Sequence, residues 1–450
     1  MFRFVSMRGL LLLVVMSLAT LGCKKKTKPA PRTTKRATSR PVKRAPQVKL
    51  VGVDAASKTI FVGALNDESG PGAAIGKAFA VGKRVAFEAS NAKGGINGWK
   101  IKLIEQDHAY NPSKSVQAYG KIKSKVLYIA TSFGTPNTLP LRDQLTQDKV
   151  LAFPASLSSK MAEHAFTPPL ATSYKLEAMR AMDWVVKKAG KARRVRAAIV
   201  YQKDDYGQDG LEGWRAAAKH HNVKVVQELA FSPRDRSFAS LIVKLKRSRA
   251  NYVLMTCLPS ATARILGTAL KLRYRRRVTW IGNTPSWVDA FFRKKALKPL
   301  FGNFYLISSL PYWGEKLPGM DTFLAAHKKY GKGSSPDFYI LASYVQGLIQ
   351  IEILRRALEA TKGTLTRASL LTALKTVKSF NGGGLIKPVN LAVFPYVTST
   401  LSRIVRPDWK NNSWKVVADY ANPASYAKKD DEGSKDDDSK DDDSDEEDDD

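Results

Sequence analysis

The feature that most narrows what this chain can fold into is an alternation of short β-branched apolar runs with stretches of helical periodicity, repeated in two series. The first reads strand 59–65, helix 73–91, strand 100–105, helix 112–123, strand 126–131, helix 136–147 and strand 150–153. After a long helix over 175–189 the second reads strand 196–201, helix 207–221, strand 224–229, helix 237–247, strand 251–257, helix 260–272 and strand 278–281. Strands of about six residues alternating with helices of about a dozen imply parallel sheets joined by right-handed crossovers. The pattern therefore predicts an α/β fold of two doubly wound parallel-sheet lobes. A helical section over 320–376 and a late strand pair, 391–397 and 401–406, complete them.

In open α/β sheets, ligands bind beyond the carboxyl ends of the strands. In the first lobe those ends are Asn66-Asp67-Glu68-Ser69-Gly70, Asp107-His108, Ser132-Phe133-Gly134-Thr135 and Pro154-Ala155-Ser156. In the second they are Lys203-Asp204-Asp205-Tyr206, Leu258-Pro259-Ser260 and Asn283-Thr284-Pro285. Thr135 before Pro136 reads as a helix N-cap, with Gly134 leaving the backbone open. Free N–H groups there, with the Ser132 and Thr135 hydroxyls, suit a carboxylate or other anion; simple capping explains the same residues equally well. Ser156 is open to the same two readings.

Other chemistries find little support. Two cysteines, Cys23 and Cys257, exclude a disulfide framework and a Cys-rich zinc site, and the five histidines have no metal-ligand spacing. No metal and no cofactor is expected. The run Gly70-Pro71-Gly72-Ala73-Ala74-Ile75-Gly76-Lys77 fails as a P-loop at Pro71 and Ala78, and fails as a dinucleotide fingerprint at Ile75. Asp204-Asp205 has no accompanying base, Cys257 sits in an apolar run, and no G-x-S-x-G elbow occurs, so an enzyme is not expected.

The net charge of +34 conceals three regimes. Residues 428–450 hold 15 acidic and 4 basic residues, too dense in charge to bury apolar surface, and read as a disordered acidic tail from 421 onward. Residues 1–50 hold 13 basic residues and no acidic ones. Within them Arg3 and Arg8 precede an apolar run over 10–21, too short to span a bilayer and suited to a signal peptide. The run ends Leu18-Ala19-Thr20-Leu21-Gly22-Cys23, which resembles a bacterial lipobox and marks residues 1–23 as a lipoprotein signal with Cys23 lipidated. Residues 24–57 read as a basic, Pro-containing tether near anionic headgroups. The body between carries 57 basic and 25 acidic residues.

The ordered motifs resemble one family. Phe61-Val62-Gly63-Ala64-Leu65, Ser69-Gly70-Pro71 and Gly76, then Asn91-Ala92-Lys93-Gly94-Gly95-Ile96-Asn97-Gly98 with Lys100-Ile101 and Asp107, then Asp205-Tyr206-Gly207, look like the branched-chain amino acid and amide substrate-binding proteins of ABC importers. The resemblance runs over about 58–418. It implies a type I periplasmic-binding fold, with a first lobe of 58–173 plus 305–378 and a second of 174–304 plus 379–420. The lobes would join at three crossings, near 171–175, 301–306 and 377–383, and close on a small solute. It also implies Ser132, Thr135 and Ser156 as carboxylate-holding positions, Tyr206 as the aromatic closing over the ligand, and Ser69, Phe133, Ala155, Asn283 and Thr284 as further contacts. The family often places an acid for the α-ammonium where Asn283-Thr284 stands, and this chain has none there. A neutral amide, a urea-like solute or a carboxylate-only solute therefore stays open, with Asp67 or Asp205 as other sources of charge.

The implied protein is extracytoplasmic, lipid-anchored, partnered by an inner-membrane ABC permease and indifferent to nucleic acid. Two rivals remain: a basic envelope protein that binds a polyanion, which the charge of the body favours and the scatter of its basic residues disfavours, and a sensory lobe that binds a solute without serving transport.

Overall fold

The computed structural model describes residues 50–274 and 278–426. The expectations for the signal peptide, for Cys23, for most of the tether and for the tail beyond 426 lie outside these residues. Two sheets organise the rest. In the first, β2 (Thr59–Asn66) pairs in parallel with β3 (Lys100–Asp107) on one side and β4 (Ile129–Phe133) on the other, and β4 pairs in parallel with β5 (Ala152–Ala155). A short β1 (Val53–Asp54) folds back antiparallel on the start of β2, so the ordered body begins inside the stretch expected as tether.

The second sheet has seven strands. Five run parallel in the order β7 (Lys224–Phe231), β6 (Arg196–Gln202), β8 (Tyr252–Thr256), β9 (Thr279–Gly282), β10 (Phe304–Ser308). Then β11 (Ser402–Asp408) and β12 (Ser413–Ala421) add antiparallel. The strand expected over 401–406 is β11, whereas 391–397 forms no strand and the second member of the pair, β12, lies beyond it. Pro395 has no N–H for a ladder, and Val393, Phe394 and Val397 are exposed.

The helices are α1 (Ala73–Ala92), α2 (Pro112–Ile122), α3 (Thr135–Thr138), α4 (Arg142–Asp148), α5 (Ser159–Ala162), α6 (Tyr174–Ala189), α7 (Asp205–His220), α8 (Ala239–Ser248), α9 (Pro259–Lys271), α10 (Met320–Tyr330), α11 (Phe338–Ala360) and α12 (Arg367–Leu374). Their starts follow local chemistry. Asn111 accepts the Lys114 N–H ahead of Pro112, Ser173 accepts that of Leu176, and Asp204 accepts that of Gly207. The helix expected over 136–147 is broken instead into α3, a tight turn over Leu139–Leu141, and α4. Pro140 removes a backbone donor in mid-course. Helix α11, apolar on nearly every side, is buried and lies along α1, and α12 packs beside it.

Two boundaries differ from expectation. Strand β10 belongs to the second sheet, so the second return to the first lobe follows Ser308 rather than falling near 301–306. The third passage runs over 398–401, later than 377–383. There Thr398 Oγ1 donates to the Ala171 carbonyl and Thr172 Oγ1 to the Leu401 carbonyl.

Beneath the second sheet Trp287 is buried against Phe291, Phe292, Phe301, Phe304 and Trp414. This anchors the segment after β9 that carries Thr284 to the cleft.

Candidate functional site

The carboxyl ends of both sheets face one cavity of about 70 Å³. From the first lobe Phe133, Thr135, Ala155 and Ser156 line it; from the second, Tyr206 and Thr284. Each of these six follows or ends a strand, as the strand-end rule requires.

The polar centre is a pair of hydroxyls. Thr135 Oγ1 and Ser156 Oγ are 2.7 Å apart and both residues are buried. The N-cap position of α3 is Gly134, with φ of 86°, and Thr135 is the first helical residue. The side chain of Thr135 is therefore turned to Ser156 instead of capping. Two hydroxyls at this separation share one hydrogen, which leaves the other free for a ligand. Ser156 Oγ also accepts the Ser158 N–H at 3.2 Å.

Three residues singled out from the sequence are not in the lining. Ser132 is fully buried behind it, its Oγ 2.8 Å from Thr138 Oγ1. Ser69 is exposed and donates to Asp107 Oδ2 at 2.6 Å. Its turn is fastened by Asp67, whose carboxylate accepts the N–H groups of Gly70 and Gly72 at 2.6 and 2.7 Å. Asn283 is buried and acts through its neighbour, accepting the Tyr206 hydroxyl at 2.8 Å. That bond sets the Tyr206 ring, which also packs edge-on against Tyr174.

The missing acid at Asn283-Thr284 has a counterpart that the sequence did not reveal. Glu177, fully buried on α6, accepts both the N–H and the hydroxyl of Thr284, and the Ser309 hydroxyl at 3.4 Å. Burial pushes its carboxyl up to about 8, against the pull of the Thr284 hydrogen bonds. It stands behind Thr284, outside the lining. Asp67 and Asp205 do not reach the cavity either; Asp205 pairs with Lys160 at 3.0 Å.

Contacts between the lobes hold the cleft shut. The Ser159 N–H and hydroxyl, from the end of the first lobe, donate to Asp209 on α7, which also accepts the Lys175 N–H at 3.0 Å. Gln202 Nε2 donates to the Tyr110 hydroxyl at 3.2 Å. This is a closed arrangement.

Sequence reasoning also missed the helical part of the wall. Ile75 and Phe79 on α1, and Phe338, Ala342 and Gln346 on α11, line the cavity from helix interiors. A signal was present in α11: Gln346 and Gln350, four apart in an otherwise apolar run, donate to the Pro154 and Ala130 carbonyls at 2.8 Å each. Buried amides in such a run must satisfy something, here the backbone of the strands they cross.

A fold of two doubly wound lobes shut over one mostly apolar cavity defines a solute-binding protein. A model of the periplasmic binding protein family matches residues 59–392, most of the chain, and the chain belongs to that family. An amino acid binding protein of Pseudomonas aeruginosa is 27% identical over 199 residues, 43% of this chain and 52% of that one. The Leu/Ile/Val-binding protein of Escherichia coli is 26% identical over 200 residues, 44% and 53% of the two chains. The chain spans about half the length of the curated relatives it matches.

Two solved structures share the fold. The fatty acid ABC transporter substrate-binding protein from Thermomonospora curvata has a TM-score of 0.77 at 23% identity, covering 83% of this chain and 95% of that one. A branched chain amino acid ABC transporter protein from Thermus thermophilus with bound valine has a TM-score of 0.71 at 17% identity, covering 83% and 98%. Among the described residues no helix is long and apolar enough to cross a membrane.

Glu177 supports a prediction on stability. Its folded value of about 8 lies above the ordinary 4.5, so its contribution is full below about 4.5 and is lost as pH rises to about 8. Lys83 and His108, both depressed by burial, act in the opposite sense over their own ranges. The measurement is therefore a difference between two proteins. The melting temperature of Glu177→Gln minus that of the parent should rise from pH 5 to pH 8 by roughly 3–5 °C and then level off. A flat difference would show that Glu177 ionises normally.

Proposed function

We propose that this chain is the extracytoplasmic solute-binding component of an ABC importer, closing its two lobes on a small, largely apolar solute and presenting the closed form to an inner-membrane permease. The observation that carries the reading is the cavity between the strand ends of both lobes, built around the Thr135–Ser156 hydroxyl pair. The relatives' names point the same way, since they bind amino acids or serve ABC transporters. The lipobox at Cys23 would tether the protein to the membrane, and Cys23→Ala should release it into the soluble fraction.

The test is a thermal-shift screen of the purified protein against amino acids, amides, urea and carboxylates. A ligand at a hundred times its dissociation constant adds about 2.7 kcal/mol, a shift of a few degrees. A shift insensitive to salt supports solute binding, because a buried ligand is little screened. Silence there, with salt-sensitive stabilisation by polyanions, favours the rival that the 57 basic residues of the body suggest. A sensory protein would give the same screen and differ in its partner, so co-purification with a permease separates the two.

A further inference from the structure

We propose that the cleft takes an apolar carboxylic acid lacking an α-ammonium group, and that Lys83, buried one layer behind the cavity wall, supplies the charge that offsets the acid. The proposal rests on the reading of the cleft as a solute site.

On α1, Ile75 and Phe79 line the cavity, and the next residue on the same face, four further along, is Lys83. It is 1% exposed, and its Nζ donates to Gln346 Oε1 at 2.9 Å. Gln346 lines the cavity, and its amide nitrogen donates to the Pro154 carbonyl, leaving a second amide hydrogen free. Lys83 has no salt bridge among the described residues, and burial alone holds its ammonium pKa well down. An ammonium buried against one neutral acceptor, with the Phe87 ring 6.0 Å away besides, is costly, and an anion one layer away relieves that cost.

The opposite charge has no place to sit. Among the described residues no Asp or Glu lines the cavity, and the buried carboxylates around it, including Asp289 and Asp337 beside the Phe338–Tyr339 wall, are engaged elsewhere. Asp67 accepts from Gly70 and Gly72, Asp204 from Gly207, Asp209 from Ser159 and Lys175, and Glu177 from Thr284. An α-ammonium would enter desolvated and unpaired, facing the field of Lys83. A carboxylate would meet the spare hydroxyl hydrogen of the Thr135–Ser156 pair and the Gln346 amide. The rest of the wall is apolar or aromatic, which suits a hydrocarbon body.

The test uses four ligands of one shape: isocaproate, leucine, isoamylamine and isocaproamide, with 3-phenylpropanoate, its amide and phenylalanine as a second size. Titration should show the acid binding at least about a hundredfold tighter than the amino acid or amine. Leucine or the amine binding as tightly as the acid would overturn the proposal while leaving a solute-binding protein. No response from any member overturns this proposal, and the wider thermal-shift screen then decides the solute reading separately.

Lys83 is tested by Lys83→Met, which should weaken the acid about tenfold or more while leaving the amide within about threefold. Equal weakening of both, or of neither, overturns its role. If Lys83→Met binds neither ligand and melts early, Lys83→Gln decides, because it can keep a hydrogen bond to Gln346 while removing the charge. Loss of acid affinity with the amide unchanged supports the role of Lys83, and unchanged acid affinity sinks it.

Discussion

Replacing Thr135 and Ser156 together by alanine should weaken binding of a carboxylate solute by about a hundredfold, because both hydroxyls are desolvated and each hydrogen bond to a charged group contributes about 1.5–3 kcal/mol. The two face each other at 2.7 Å across the turns after β4 and β5, and both line the cavity. Ser132→Ala is the control. Its hydroxyl meets Thr138 and lies off the lining, so it should cost about 1 kcal/mol of stability and leave affinity within about threefold. Isothermal titration of both variants, with melting curves, checks this. If Ser132→Ala loses as much affinity as the double variant, the geometry of the site has been misjudged.

The contrast between Thr135 and Ser132 shows what the sequence could and could not convey. Both stand at the end of β4 in the strand-end list, and in a strand successive side chains point to opposite faces. The list located the right turns without deciding which hydroxyl looks into the cleft. That depended on the chain turning at Gly134, which brings Thr135 against Ser156 and leaves Ser132 on Thr138. The alternation of strands and helices was legible because local periodicity and turn chemistry agree along most of the chain. Where a local feature competed, at Pro140 or Pro395, the reading failed.

The helical wall was hidden for a different reason. Ile75 and Phe79 are ordinary apolar positions of an amphipathic helix, and nothing local separates a cavity-lining phenylalanine from a core one. Lys83 and Glu177 were hidden more deeply. A lysine or glutamate on a helix normally faces solvent, and only the packing of α1 on α11, and of Glu177 against Thr284, encloses them. Such residues depart from the local rule, and departures of this kind gather at functional sites.

The glycines behind the resemblance carry the other large expected effect. Gly76 on α1 and Gly207 on α7 occupy matching places in the two lobes, in the first turn of the helix that follows a strand. A Cβ on Gly76 would lie 1.8 Å from the Asp67 carbonyl oxygen, and one on Gly207 1.9 Å from that of Gln202. No side chain fits at such a distance from backbone, so each helix would have to lift off the strand that precedes it. Gly207→Ala should cost about 3 kcal/mol of stability or more, the upper range for overpacking. It should also reduce affinity, because Tyr206 precedes it and holds its cavity-facing ring through Asn283. Gly267→Ala on α9 is the counterpart: nothing lies within 4 Å of its Cβ, and it should be neutral or stabilising by up to about 1 kcal/mol. Urea unfolding and solute titration of the two variants give the comparison. If Gly207→Ala melts and binds like the parent, α7 is not seated on β6 as described. The positioning of Tyr206 over the solute would then need another explanation.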